Sequence, residues 1–138
     1  MPNTTRPYRI LAVDDDPLVL RMVSHLCADC GWKLETAETG ESCVEAFARF
    51  RPDALILDNI LPDATGLEIL RQLRSLDVHL PVLVVTAQGT TITAIEAMKW
   101  GAFDYLAKPL NLSHLQRQIE RALEVRRLTR VPVERALD

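Results

Sequence analysis

Four polar positions, each at the end of an apolar run, could do chemistry together. Asp14, Asp15 and Asp16 follow the first run, Asp58 the third, Thr86 the fourth and Lys108 the fifth. Carboxylates brought close repel one another and push each other's pKa values up unless a counter-charge is supplied. A hard divalent cation with oxygen ligands, Mg2+ or Mn2+, answers that need, and magnesium takes one or two carboxylates while leaving room for phosphate oxygens. Lys108 adds an ammonium suited to a phosphate oxygen, and Thr86 adds a hydroxyl donor. A metal, a lysine, a hydroxyl and one carboxylate nucleophile suit phosphoryl transfer, where catalysis is mostly positioning and charge neutralisation. A carboxylate that attacks phosphorus becomes an aspartyl phosphate.

For these residues to meet, their strands must lie side by side. Arg9–Val13, Lys33–Ala37, 54–57, 82–85 and Asp104–Ala107 read as five strands. The first, third and fourth are nearly all apolar, as in strands covered on both faces. Helical patterns alternate with them. The first begins with Asp16 as cap and Pro17 at its first position, carries Val19, Met22, Val23, Leu26 and Cys30 on its apolar stripe, and ends at Gly31. Others cover 41–49, 67–76 and 92–100, and a fifth runs from near Asn111 and fades by Pro132. This alternation predicts an α/β fold: a flavodoxin-like, doubly wound (βα)5 unit with a five-stranded parallel sheet in the order 2-1-3-4-5. In that order strands one and three are neighbours, so the acidic pair and Asp58 face each other at the carboxyl end of the sheet, where ligands of such sheets bind.

Single positions have plainer readings. Asp16 reads better as a helix cap than as a ligand, Asp58 and Asn59 could belong to a loop closed by Pro62, Thr86 could start a helix, and Lys108 could be solvated. That all four positions end separate strands outweighs these readings. Cys27 and Cys30 form C-x-x-C inside a predicted helix and read as packing residues; Cys43 stands apart. His25, His79 and His114 are scattered, and Arg126, Arg127 and Arg130 read as a solvated helix end.

Composition sets outer limits. At 138 residues the chain fits one domain, and a net charge of −3 argues against direct nucleic-acid binding as its main feature. No apolar run approaches the ~18 residues of a membrane span, and the polar N-terminus does not resemble a signal peptide. Three cysteines without framework spacing suit a reducing compartment, so a cytoplasmic location is expected.

The segments ILAVDDDP, LILDNILPDATG, PVLVVTA and FDYLAKP resemble the receiver domain of two-component response regulators, from about Arg9 to about Arg127. The resemblance implies that Asp14 and Asp15 are the acidic pair and Asp58 the phosphoacceptor. It makes Thr86 the switch hydroxyl, Tyr105 the rotating aromatic and Lys108 the family lysine. Asp14, Asp15, Asp58 and the backbone carbonyl of Ile60 would hold the metal. Asn59 is polar where an apolar residue is common, and Ile60 and Gln88 occupy positions that tune phosphoryl lifetime. The stretch TAIEAMKWGAFDYLAKP is similar to receivers of enhancer-binding transcription activators.

The implied partners are a sensor histidine kinase or phosphotransfer protein and a C-terminal output domain. A second copy could dock through the face of helix four, strand five and helix five, close to Trp100. Residues 1–128 would be the receiver and 129–138 a linker or tail. The chain would be no enzyme beyond promoting its own phosphorylation and dephosphorylation. The Lys108–Pro109 bond is expected to be cis, since the chain must turn there while aiming Lys108. Two other functions compete: a small metal-dependent phosphatase of haloacid-dehalogenase type using Asp14 as nucleophile and Asp16 as acid/base, and a docking receiver that is never phosphorylated. Leu18 stands where the phosphatase pattern has Thr or Val, and a docking receiver usually lacks a key residue that this chain keeps.

Overall fold

The structure is a computed structural model and describes residues 6–87 and 90–129. Five strands alternate with five helices: β1 (Arg9–Val13), α1 (Pro17–Cys30), β2 (Lys33–Ala37), α2 (Gly40–Phe50), β3 (Ala54–Asp58), α3 (Gly66–Arg74), β4 (Val82–Thr86), α4 (Thr91–Lys99), β5 (Asp104–Ala107) and α5 (Leu112–Thr129). The sheet is parallel throughout, in the order β2-β1-β3-β4-β5.

The period-two alternation of the strands divides the core in two. Leu11, Val13, Leu55, Leu57, Val82 and Val84 face α2, α3 and α4, where they meet Cys43, Ala46, Ile69, Leu70, Leu73 and Ala97. Ile10, Ala12, Ile56, Leu83 and Val85 face α1 and α5, against Val23, Leu26, Cys27, Leu115, Ile119 and Ala122. All five residues of β3 and of β4 are buried, as strands covered on both faces require.

Local signals set the helix ends. Asp16 accepts from the Leu18 N–H with Pro17 at the first helical position, and Gly31 closes α1 at φ +74°, a left-handed conformation that glycine adopts without a Cβ penalty. Thr39 with Ser42 and Thr65 with Glu68 form reciprocal capping boxes at α2 and α3, and Thr90 caps α4. These caps explain why α2 and α3 start one residue earlier than apolar periodicity alone indicates. On α1 Cys27 is buried and Cys30 packs half-buried against the same core, so the stripe keeps Val19, Val23, Leu26 and Cys30 and also takes in Cys27; both cysteines are free thiols. The Lys108–Pro109 bond is cis, as expected. Arg126 is not part of a solvated helix end: it pairs with Asp77 and keeps 11% side-chain exposure, whereas Arg127 pairs with Glu124 in solvent. Arg130, Gln88 and the tail after Thr129 lie outside the described residues. None of the described helices is long and apolar enough to cross a membrane.

Candidate functional site

Asp14 follows β1 directly, and its backbone N–H bonds the Ala37 carbonyl at 3.0 Å, so β2 fixes where the acidic run leaves the sheet. Asp14 is buried, Asp15 exposed, and Asp16 turns away to cap α1. One carboxylate oxygen of Asp14 accepts from the Asp16 N–H at 2.9 Å. Asp58 ends β3, the neighbour of β1, and is 5% exposed. The following loop is tied back tightly: the Asn59 N–H bonds the Val85 carbonyl at 2.8 Å, the Gly66 N–H bonds the Asn59 carbonyl at 2.7 Å, and Ile60 bridges Thr65. A Cβ on Gly66 would stand 2.7 Å from the Asp58 carbonyl oxygen, so only glycine fits there without a shift.

Single oxygens of Asp14, Asp15 and Asp58 all lie within 4.8 Å of one another. Lys108, at the end of β5, places its ammonium 2.8 Å from Asp14 and 3.4 Å from Asp58. Burial first, and then the Asp14 charge, push the Asp58 carboxyl above its ordinary range, although Lys108 and the Ile60 N–H pull the other way. Burial pulls Lys108 down, but its bonds and charge contacts with Asp14 and Asp58 outweigh that and leave it raised. The cluster is a set of hard oxygen donors with more negative charge than one lysine neutralises, which fits a divalent cation of the magnesium type. Asp14, Asp15 and Asp58 are the side chains that could hold it.

Thr86 is buried at the end of β4, next to β3 on one side and β5 on the other. Tyr105 packs against the α2–α4 side of the core, with its hydroxyl oxygen buried and without a hydrogen-bond partner among the described residues. The ring is thus already turned in. Trp100 caps α4 at its far end, where the Arg71 guanidinium of α3 lies 4.8 Å from its ring, so it lies on the α3 side of α4. Beside Lys108 an apolar cleft of about 370 Å³, lined by Leu18, Val19, Met22, Pro109 and Leu110 among others, opens between α1 and the loop after β5. Sequence reasoning did not find this cleft; the signal was Leu18, an apolar residue exposed right after the acidic run.

The site thus gathers Asp14, Asp15, Asp58 and Lys108 at one end of the sheet, with Thr86 at the same strand ends. Residues 10–120 match the response regulator receiver domain family. The transcriptional regulatory protein TrcR of Mycobacterium tuberculosis is 37% identical over 137 residues, covering 89% of this chain and 53% of its own length. The regulatory protein AtoC of Escherichia coli is 38% identical over 117 residues, covering 85% of this chain and 25% of its own length. The chain therefore spans between a quarter and about half of these relatives. Among solved structures, a CheY-like response regulator receiver domain protein from Methanospirillum hungatei superposes with a TM-score of 0.85 at 25% identity, over 89% of this chain and 98% of that one. Sequence, sheet order and site agree that this chain belongs to the response regulator receiver domain family of two-component systems.

Proposed function

We propose that Asp58 accepts a phosphoryl group from the histidine of a sensor kinase or phosphotransfer protein, and that the phosphorylated domain controls an output domain or partner. The observation that carries the reading is the convergence of Asp58, the acidic pair and the Lys108 ammonium. One carboxylate of the cluster is raised and needs a counter-charge, and one cation already reaches two of the three. Asp14, Asp15, Asp58 and the backbone carbonyl of Ile60 would hold Mg2+ or Mn2+, which when bound supplies charge for the phosphate oxygens. Asp58 provides the attacking oxygen and forms the new P–O bond, while the bond from phosphorus to the donor nitrogen breaks and the imidazole leaves. Lys108 meets a phosphoryl oxygen with its ammonium, and the Thr86 hydroxyl donates to another, because a charged acceptor strengthens the bond. The apolar cleft beside Lys108 suits the partner that brings the histidine.

Residues 1–128 form the receiver in this reading, with 129–138 as linker or tail leading to an output of the enhancer-binding activator type. The outward face of α4, with Ile92, Ile95 and Met98 at least half exposed, is where a second copy or the output would sit, in a cytoplasmic setting. The phosphatase reading through Asp14 is weaker, because the Asp16 carboxylate that would serve as its acid/base caps α1 instead. Incubation with a small phosphodonor and Mg2+ should add one phosphoryl group to the wild type and none to Asp58→Asn by intact mass. Equal labelling of the two, or turnover of a phosphate ester that survives Asp58→Asn and falls with Asp14→Asn, would reject the assignment.

A further inference from the structure

Asn59 follows Asp58 directly, is 8% exposed, and has a side-chain oxygen with no hydrogen-bond partner among the described residues. The Tyr105 hydroxyl is in the same condition. The first atom only accepts and the second can donate. A buried polar atom left unpaired is a standing cost to the state that contains it.

The strand register brings the two residues to one part of the fold. The Asn59 N–H bonds the Val85 carbonyl and carries the β3–β4 ladder one residue past Asp58. Side chains alternate between faces, so Asn59 falls on the face of Leu57, which belongs to the α2–α4 side of the core. Val84 is on that face and pairs with Tyr105 across β4 and β5. Thr86, two residues beyond Val84, shares the face and stands on the strand between the other two. Asn59 and Thr86 are thus level, and Tyr105 stands two residues back, level with Val84 and Leu57, so the three share one face of three adjacent strands and Asn59 and Tyr105 lie diagonally on either side of β4.

We propose that Asn59 is a positioning residue of the phosphoryl switch, whose side-chain oxygen accepts a hydrogen bond from the Tyr105 hydroxyl once Thr86 has been drawn toward a phosphoryl group on Asp58. The inference rests on the phosphoacceptor reading of Asp58 given above. The resting state leaves both atoms unpaired and the activated state joins them, so the pair biases the domain toward activation. The polar residue at a commonly apolar position then has a function.

The test compares wild type, Asn59→Leu, Tyr105→Phe and the double variant in two measurements. Leucine keeps the branched shape of asparagine while removing its polar atoms. Melting without ligand should rise in Asn59→Leu, because an unpaired oxygen is gone. Affinity for beryllofluoride with Mg2+, read by 19F NMR, should fall about five- to tenfold in each single variant, the size of one hydrogen bond. The double variant should be no weaker than the weaker single. Independent, additive losses, or unchanged affinity in Asn59→Leu, overturn the proposal.

If leucine lowers the melting temperature, a second readout decides. The chain has two tyrosines, so 3-fluorotyrosine labelling gives a Tyr105 resonance assignable with Tyr8→Phe. It should shift on beryllofluoride addition in the wild type and shift less in Asn59→Ala; equal shifts overturn the role of Asn59. Failure of the wild type to bind beryllofluoride, or equal binding by Asp58→Ala, removes the phosphoacceptor reading itself. Binding that depends on Asp58 with additive losses leaves that reading and removes only Asn59.

Discussion

The Lys108 ammonium sits 2.8 Å from the Asp14 carboxylate and so joins the end of β5 to the end of β1 across two intervening strands. It also lies 3.4 Å from Asp58, so one flexible side chain answers two of the three clustered carboxylates. A divalent cation entering the cluster competes with that ammonium for Asp14.

Competition predicts opposite effects of Lys108 on two quantities. In Lys108→Met, Mg2+ binding measured by calorimetry should tighten, about three- to tenfold, because the cluster loses its built-in cation. Phosphorylation of Asp58 by a small donor should slow, since the phosphate oxygen loses its ammonium. Asp15→Ala, which removes a carboxylate from the cluster, should weaken Mg2+. Weaker binding in Lys108→Met would show that the lysine organises the metal site and does not compete for it.

Asp58 should cost the fold stability. Burial and Asp14 raise its pKa, so the folded state binds that proton more tightly than the unfolded chain does. By linkage, stability then falls as pH rises from the ordinary aspartate value, about 3.9, through the higher folded value, and the deficit is fully present above it. Asp58→Asn removes the charge and keeps the shape. It should stabilise the domain by about 1 kcal/mol at pH 7 in urea unfolding, a trade-off common at functional sites. The gain should shrink toward pH 4; a destabilised Asp58→Asn at pH 7 contradicts the argument.

Gly66 should be nearly irreplaceable. An added Cβ meets the Asp58 carbonyl oxygen at 2.7 Å and the Asn59 Cα at 2.9 Å, both backbone atoms that cannot swing aside. Gly66→Ala must push the loop away from β3, weakening the Gly66 N–H to Asn59 bond as it does so. We expect a loss of about 2 kcal/mol, within the range for overpacking, together with slower phosphorylation of Asp58. By contrast Gly31→Ala has open space around its Cβ and is penalised only by its φ of +74°, so it should cost less and leave phosphorylation unchanged. Equal phosphorylation rates in Gly66→Ala and wild type would disconnect the loop from the site.

Much of this was legible in the residues, for particular physical reasons. The all-apolar run at 54–57 announces a strand covered on both faces, and Pro17 after Asp16 announces a helix start; both signals are local. Sheet order then brings Asp14 and Asp58 together without any further information. Other features depend on rotations and contacts that spacing does not encode. Apolar periodicity put Cys30 on the stripe, where it packs half-buried, but did not mark Cys27, which the core contact of α1 buries more fully. Trp100 was expected close to the α4–β5–α5 face, yet its ring lies beside Arg71, because the C-terminal end of α4 abuts α3. Arg126 looks like a solvated charge until the turn after α3 delivers Asp77 to it from 49 residues away.

That last pair carries a prediction about acid stability. Arg126 meets both oxygens of Asp77, at 3.2 and 2.5 Å, and Asp77 also accepts from the His79 N–H at 3.0 Å. Arg74 donates to the Asp77 carbonyl and to the Trp100 and Gly101 carbonyls at the end of α4, so the two arginines link α3, α4 and α5. Burial pushes the Asp77 carboxyl up, but the Arg126 bond, the His79 N–H and the charges of Arg126 and Arg74 more than reverse that and hold it below the ordinary range. A folded value below the unfolded one means that the stabilisation is complete above the unfolded value, about 3.9, and is lost as pH falls through the folded value. Asp77→Asn leaves a mostly buried guanidinium without its charge partner. The pair lies between exposed bridges, worth little, and fully buried ones, costly to break, so the loss should be about 1–2 kcal/mol at pH 7. In urea titrations the gap between wild type and Asp77→Asn should stay constant from pH 7 to about 5 and close below about pH 4. A gap that widens as pH falls, or none at pH 7, would mean that Asp77 is held for its backbone turn and not for its charge.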